Sequence, residues 1–138
     1  MARSGRLLSL NVARASAVAI NGRRVMTAIG KRAVEGPRDV GQLGIAGDEQ
    51  ADLSVHGGPA KAVYAYPSEH YPFWNTVRAQ AQVALWDEAL PYGSLGENLT
   101  LAGVAENELW IGDVLRFPAC HLAVSEPRFP CFKFNAVR

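Results

Sequence analysis

Six short runs, closely spaced and bounded by turn signals, restrict this chain to few architectures. LLSLNVA (7–13), SAVAI (16–20), AVYAY (62–66), ELWIG (108–112), DVLRF (113–117) and HLAVSE (121–126) are each rich in β-branched or aromatic residues. After the second run comes Asn21-Gly22, the strongest short signal for a two-residue hairpin turn. Gly47-Asp48 and Gly112-Asp113 read as further turns. No strand–helix–strand rhythm accompanies these runs. The expected class is therefore mainly β, a barrel or sandwich rather than a parallel sheet, with one or two short helices.

The predicted helix begins after Pro67. Ser68 is positioned to cap it, Glu69 suits the positive end of the helix dipole, and Tyr71, Trp74, Val77 and Arg78 follow at helical spacing. Pro72 is tolerated because it falls in the first turn. Residues 79–89 either continue this helix or break near 83–86, and the sequence does not decide which.

At 138 residues, with 49% hydrophobic and 20% charged side chains, the chain is expected to be one domain, 1–138, with its own core. That composition excludes disordered and collagen-like classes. Cys120 and Cys131 allow one disulfide at most and have no zinc-type spacing, so two free thiols in a reducing cytoplasm is the simpler expectation. No apolar run approaches the roughly 20 residues needed to span a bilayer. The segment after Arg3 and Arg6 imitates a signal peptide, but Asn11 and Arg14 interrupt it, and it reads as part of the fold.

Charge is unevenly spread. Seven basic residues and no acidic one precede Glu35, whereas the net charge of the whole chain is only +1. Solvated loop arginines, a transit peptide and a basic wall for an anionic ligand all fit this pattern. Nucleic-acid binding ranks lower, because aromatic residues do not interleave with these arginines.

Three stretches could carry chemistry. In SEPRFPCFKF (125–134), an extended backbone would place Cys131 and Lys133 on one face, and nearby Lys or Arg favours the reactive thiolate; a buried structural cysteine is the alternative. Cys120, between apolar neighbours, reads as structural. In DLSVHGGPAKAVYAY, Gly57 and Gly58 after His56 allow close backbone approach to an anion, with Lys61 adding charge, although for this stretch alone a plain turn with a surface histidine is the favoured reading. His70 and His121 read as packing or surface residues. GSLGENLTLAG reads as a polar loop punctuated by Gly93, Gly96 and Gly103, in which Asn98 could recognise a heterocycle edge or simply close a turn. No P-loop, dinucleotide fingerprint, nucleophile elbow or HExxH motif occurs.

Taken in order, GIAGDEQADLSVHGGPAKAVYAYPSEHYPFW, GSLGENLT, IGDVLRF and VSEPRFPCFK resemble the MOSC domain, named for the C-terminal domain of molybdenum cofactor sulfurase, over Thr27 to Lys133. The chain is similar to the bacterial stand-alone members associated with detoxifying N-hydroxylated base analogues. The resemblance implies a barrel-like β fold and binding of the molybdenum cofactor, a phosphorylated pterin dithiolene. It implies Cys131 as metal ligand or persulfide carrier, His56, Gly57 and Gly58 in the HGG signature, and Asn98 in GENLT. It also implies that Lys31, Arg128 and Lys133 hold the phosphate, with His56 as proton donor or orienter. A reductase of this kind needs an external electron-donor protein, since no flavin, haem or iron–sulfur motif is present; a sulfur or cofactor carrier without turnover is the alternative.

Two motif positions differ mildly from the family pattern. Leu95 stands where Phe is frequent, and Glu126 stands where Gln is common and would oppose a low thiol pKa. Family members usually continue well beyond the cysteine motif. The expectation is thus a barrel incomplete at its C-terminal edge, as a minimal or truncated form or one completed by a second copy through strand pairing.

Overall fold

A computed structural model describes residues 4–49 and 61–127. The chain is mainly β with one α-helix. Strands β1 (Arg6–Val12), β2 (Ser16–Ile20), β3 (Arg23–Thr27), β4 (Arg32–Val34), β5 (Val40–Gly41) and β6 (Gly44–Ile45) precede β7 (Ala65–Pro67). Helix α1 (Tyr71–Gln80) is followed by β8 (Leu99–Ala102), β9 (Val114–Arg116) and β10 (His121–Ala123). A four-stranded sheet runs in the order β4-β1-β8-β7, and β2–β3, β5–β6 and β9–β10 form three two-stranded ribbons. Among the described residues these strands do not close into a barrel.

The central pair, β1 and β8, divides the sheet into two chemically different faces. Leu10 lies opposite Leu99 and Ser9 opposite Thr100, so the alternation of each strand puts leucines on one side and hydroxyl and amide groups on the other. A register shift between Leu7 and Ser9 marks a bulge in β1. On the apolar side Ile45, Leu99 and Leu101 form the buried core, packed by Leu10, Val12, Val63, Leu115 and Leu122 among others. Each fully buried leucine contributes roughly 1.5–3 kcal/mol.

The hairpin expected at Asn21-Gly22 joins β2 to β3, with both turn residues at positive φ, 51° and 77°. This is the backbone that a two-residue turn matched to strand twist requires. Several expectations need correction. One strand–helix–strand unit is present, since β7, α1 and β8 follow in order and β7 pairs with β8 in parallel, and Leu99–Ala102, read as part of a polar loop, is a strand. ELWIG is not a strand: Glu106–Glu108 is a 3-10 turn, and Asp113 closes the next turn by accepting from the Trp110 amide at 2.9 Å. Of AVYAY only Ala65 and Tyr66 are in a strand. Ser68 does not cap, because it opens a 3-10 turn, Ser68–His70, that leads into α1 without a side-chain cap. Glu69 instead accepts from the Gly103 amide at 2.8 Å, tying the helix entry to the end of β8. The helix stops at Gln80, earlier than either alternative allowed, with Gln82 at a φ of 60° just beyond. No helix among the described residues is long and apolar enough to cross a membrane.

Candidate functional site

Residues Leu95–Leu101, the heart of GSLGENLTLAG, are all buried. Glycine makes this possible at two positions. Gly93 has a φ of +91°, and a Cβ there would lie 2.7 Å from the Lys31 carbonyl oxygen. Gly96 has a φ of +86°, and its Cβ would lie 2.8 Å from Ile29. Only residues without a side chain both adopt this backbone and let the loop press against 29–31.

Glu97 is 0% exposed and gathers three neutral donors. Its Oε2 accepts from the Tyr71 hydroxyl at 2.5 Å and the Thr100 hydroxyl at 2.9 Å, and its Oε1 accepts from the Leu95 amide at 3.2 Å. Asn11 extends the network, donating through Nδ2 to Thr100 Oγ1 at 3.1 Å and to the Glu97 carbonyl at 3.2 Å. Burial, reinforced by the hydrogen bond to Glu97 and the carboxylate's charge, raises the Tyr71 pKa far above the usual phenol range. The phenol stays a donor at any physiological pH.

Asn98 and Lys31, two of the residues singled out in the sequence, meet on one carboxylate. Asn98 Nδ2 donates to Asp48 Oδ2 at 2.9 Å and to the Asn11 carbonyl at 3.1 Å, while Asn98 Oδ1 accepts from the Tyr64 amide at 3.0 Å. Lys31 Nζ lies 2.7 Å from Asp48 Oδ1, and the two side chains are only 8% and 3% exposed. The same Oδ1 accepts from the Ala13 amide at 2.9 Å. Both Asn98 donors and the Lys31 ammonium are therefore engaged within the protein.

On the apolar side, a cleft of about 890 Å³ opens between the main sheet and the β9–β10 ribbon. Tyr64, Tyr66, Trp110 and His121 line it, and Lys61 and Glu126 pair beside it at 3.7 Å. Glu126, the variant motif position, thus has a cation of its own. Cys120 is half-buried in the turn between β9 and β10, where its carbonyl accepts from the Phe117 amide at 2.8 Å. His70 is partly exposed and lies 2.7 Å from Glu106. Cys131, His56, Gly57, Gly58, Arg128 and Lys133 lie outside the described residues.

Sequence reasoning missed Asp48, Glu97 as a buried acceptor, and the network through Asn11, Tyr71 and Thr100. One signal for it was available: Gly93 and Gly96 precede an acid and an amide, Glu97 and Asn98, at a spacing that suits a loop folded inward.

The family model described as MOSC domain matches residues 52–137, more than half of the sequence. The chain belongs to the MOSC domain family. It is 40% identical over 127 residues to the uncharacterized protein YflK of Bacillus subtilis (strain 168), covering 92% of this chain and 54% of that protein. It is 36% identical over 135 residues to a protein named "Reductase" from Gibberella moniliformis (strain M3125 / FGSC 7600), covering 97% of this chain and 23% of that one. The crystal structure of YiiM from Geobacillus stearothermophilus superposes with a TM-score of 0.69 at 30% identity, over 97% of this chain and 56% of that one. The MOSC chain described here spans about half the length of these bacterial relatives.

Proposed function

We propose that this MOSC protein binds the molybdenum cofactor through Cys131 and reduces small N-hydroxylated compounds, hydroxylaminopurines among them, with electrons from a separate donor protein. The observation that carries the reading is the meeting of Lys61 and Glu126 beside the cleft. His56 is five residues from Lys61 and Cys131 five from Glu126, so each can lie at most about 17 Å along the chain from this pair. Lys61 and Glu126, 65 residues apart, thus meet at the described ends of the segments that run to the HGG and cysteine motifs, which supports the reading.

The residues around the cleft fit a planar heterocycle bearing a phosphate. Tyr64, Tyr66 and Trp110 offer aromatic surface, Lys61 and His121 offer N–H donors, and Arg128 and Lys133 flank the thiol in sequence. A thiolate is the ligand type that soft metal centres select, which suits Cys131 to the metal. When bound, the cofactor supplies a metal that accepts and returns two electrons. The overall change takes R–NHOH, two electrons and two protons to R–NH₂ and water. By residue type an imidazole suits delivery of a proton to the departing oxygen, the role this reading gives to His56. Gly57 and Gly58 are assigned the anion in this reading, because glycines let backbone N–H groups approach one closely.

The fungal relative named "Reductase" supports the redox reading, and this chain matches only 23% of it, leaving ample room there for other modules. Barrel closure and pairing of two copies through an exposed sheet edge belong to the same proposal; a single-chain mass in solution at micromolar concentration contradicts the pairing. The activity test is reduction of a hydroxylaminopurine by protein made in cofactor-producing cells, with a chemical or protein electron donor. Turnover abolished by Cys131→Ala is expected. Cyanide-labile sulfur on Cys131 without molybdenum overturns the reductase in favour of a sulfur carrier.

A further inference from the structure

Lys31 and Asp48 form a buried ion pair at the junction of three segments. Asp48 Oδ1 holds the Lys31 ammonium at 2.7 Å and the Ala13 amide at 2.9 Å, and Oδ2 holds Asn98 at 2.9 Å. The neighbouring Glu49 repeats the tie, its amide donating to the Ala13 carbonyl at 2.8 Å and its Oε1 accepting from the Ala15 amide at 2.9 Å. The Ala46 amide donates to the Asp39 carbonyl and that of Asp48 to the Ile45 carbonyl, which sets the turn that presents Asp48. One carboxylate thus fastens the end of β1, the segment before β4 and the GENLT loop together, eight residues before the HGG motif in sequence.

We propose that Lys31 acts on the site through Asp48 rather than by touching a ligand, and that Asp48 is a positioning residue for the loops that build the site. This rests on the cofactor reading above for its consequence, but not for its geometry. A buried lysine whose ammonium already has a carboxylate at 2.7 Å has little field left to offer a phosphate. Removing either partner alone leaves a buried charge uncompensated, whereas removing both leaves none. An asparagine at 48 also turns an amide donor toward either Lys31 or Asn98, both of which are donors there.

The two roles predict opposite signs. If Lys31 were a ligand cation restrained by Asp48, Asp48→Asn would free it and raise molybdenum retention, and adding Lys31→Met would then lower it. As a positioning pair, Asp48→Asn lowers retention by about 10- to 100-fold, as loss of outer-shell support to a metal site does, and adding Lys31→Met recovers part of the loss. Molybdenum per chain is measured in wild type, Asp48→Asn and the double variant after dialysis. The cofactor-free proteins are compared in parallel by amide hydrogen exchange at Ala13 and Glu49. Exchange faster at both amides in Asp48→Asn, and slowed again in the double variant, is expected. Unchanged exchange overturns the positioning role even if wild type holds no molybdenum, a result that by itself contradicts only the cofactor reading. Retention that rises in Asp48→Asn, or falls further in the double variant, assigns Lys31 to the ligand and overturns the proposal.

Discussion

Leu95–Leu101 and Trp110–Val114 contrast most sharply in this molecule. The first contains a carboxylate, an amide and a hydroxyl, and every residue in it is buried, with Glu97 and Thr100 at 0% exposure. The second contains tryptophan, isoleucine and valine, and every residue in it is exposed, with Trp110 at 78% and Ile111 at 71%. Hydropathy alone orders the two the wrong way round. A buried carboxylate is tolerated where donors surround it, and single exposed apolar side chains cost little on a protein surface. The polar segment holds the fold together; the apolar one leaves its side chains exposed at a turn, where Trp110 and Ile111 line the cleft.

The largest effect that would sharpen this contrast is at Glu97. Glu97→Ala strands the Tyr71, Thr100 and Leu95 donors in a dry interior and should cost roughly 3–5 kcal/mol in chemical denaturation. A loss below about 1 kcal/mol would break the comparison. Gly93→Ala should cost about 2–3 kcal/mol, since it forces an L side chain to a φ of +91° and into the Lys31 carbonyl.

The pH arm follows from Tyr71. Its folded pKa is raised, so the stability it lends is full below the unfolded value of about 10 and is lost as pH climbs beyond it. Tyrosinate absorbance should therefore show one phenol that resists ionisation until the chain unfolds, and Tyr71→Phe should flatten the alkaline decline in Tm. A phenol count that titrates uniformly near pH 10 contradicts the burial. The smallest effect is at the exposed turn. Trp110→Ser should change stability by no more than about 0.5 kcal/mol, and a larger destabilisation would mean that the tryptophan is packed after all.

The same contrast explains what was legible in the sequence. Asn21-Gly22 specified its hairpin because two successive positive φ values are a local demand that few residue pairs meet. The MOSC motifs were legible through their order along the chain. LTLA escaped notice as a strand, although it is buried on both faces at the centre of the sheet, because the polar residues before it made the whole stretch look like a loop. ELWIG misled in the opposite direction: Gly112, at a φ of +97°, and Asp113 turn the chain where its apolar residues suggested a ladder. Asp48 could not be singled out, since its partners Lys31 and Asn98 lie 17 and 50 residues away and no local pattern links them.

Molybdenum content is the most direct test of the central claim. Protein purified from cells that make the cofactor should contain close to one molybdenum per chain in wild type and almost none in Cys131→Ala. Equal metal in both, or none in either, would contradict a cofactor site built on that thiol.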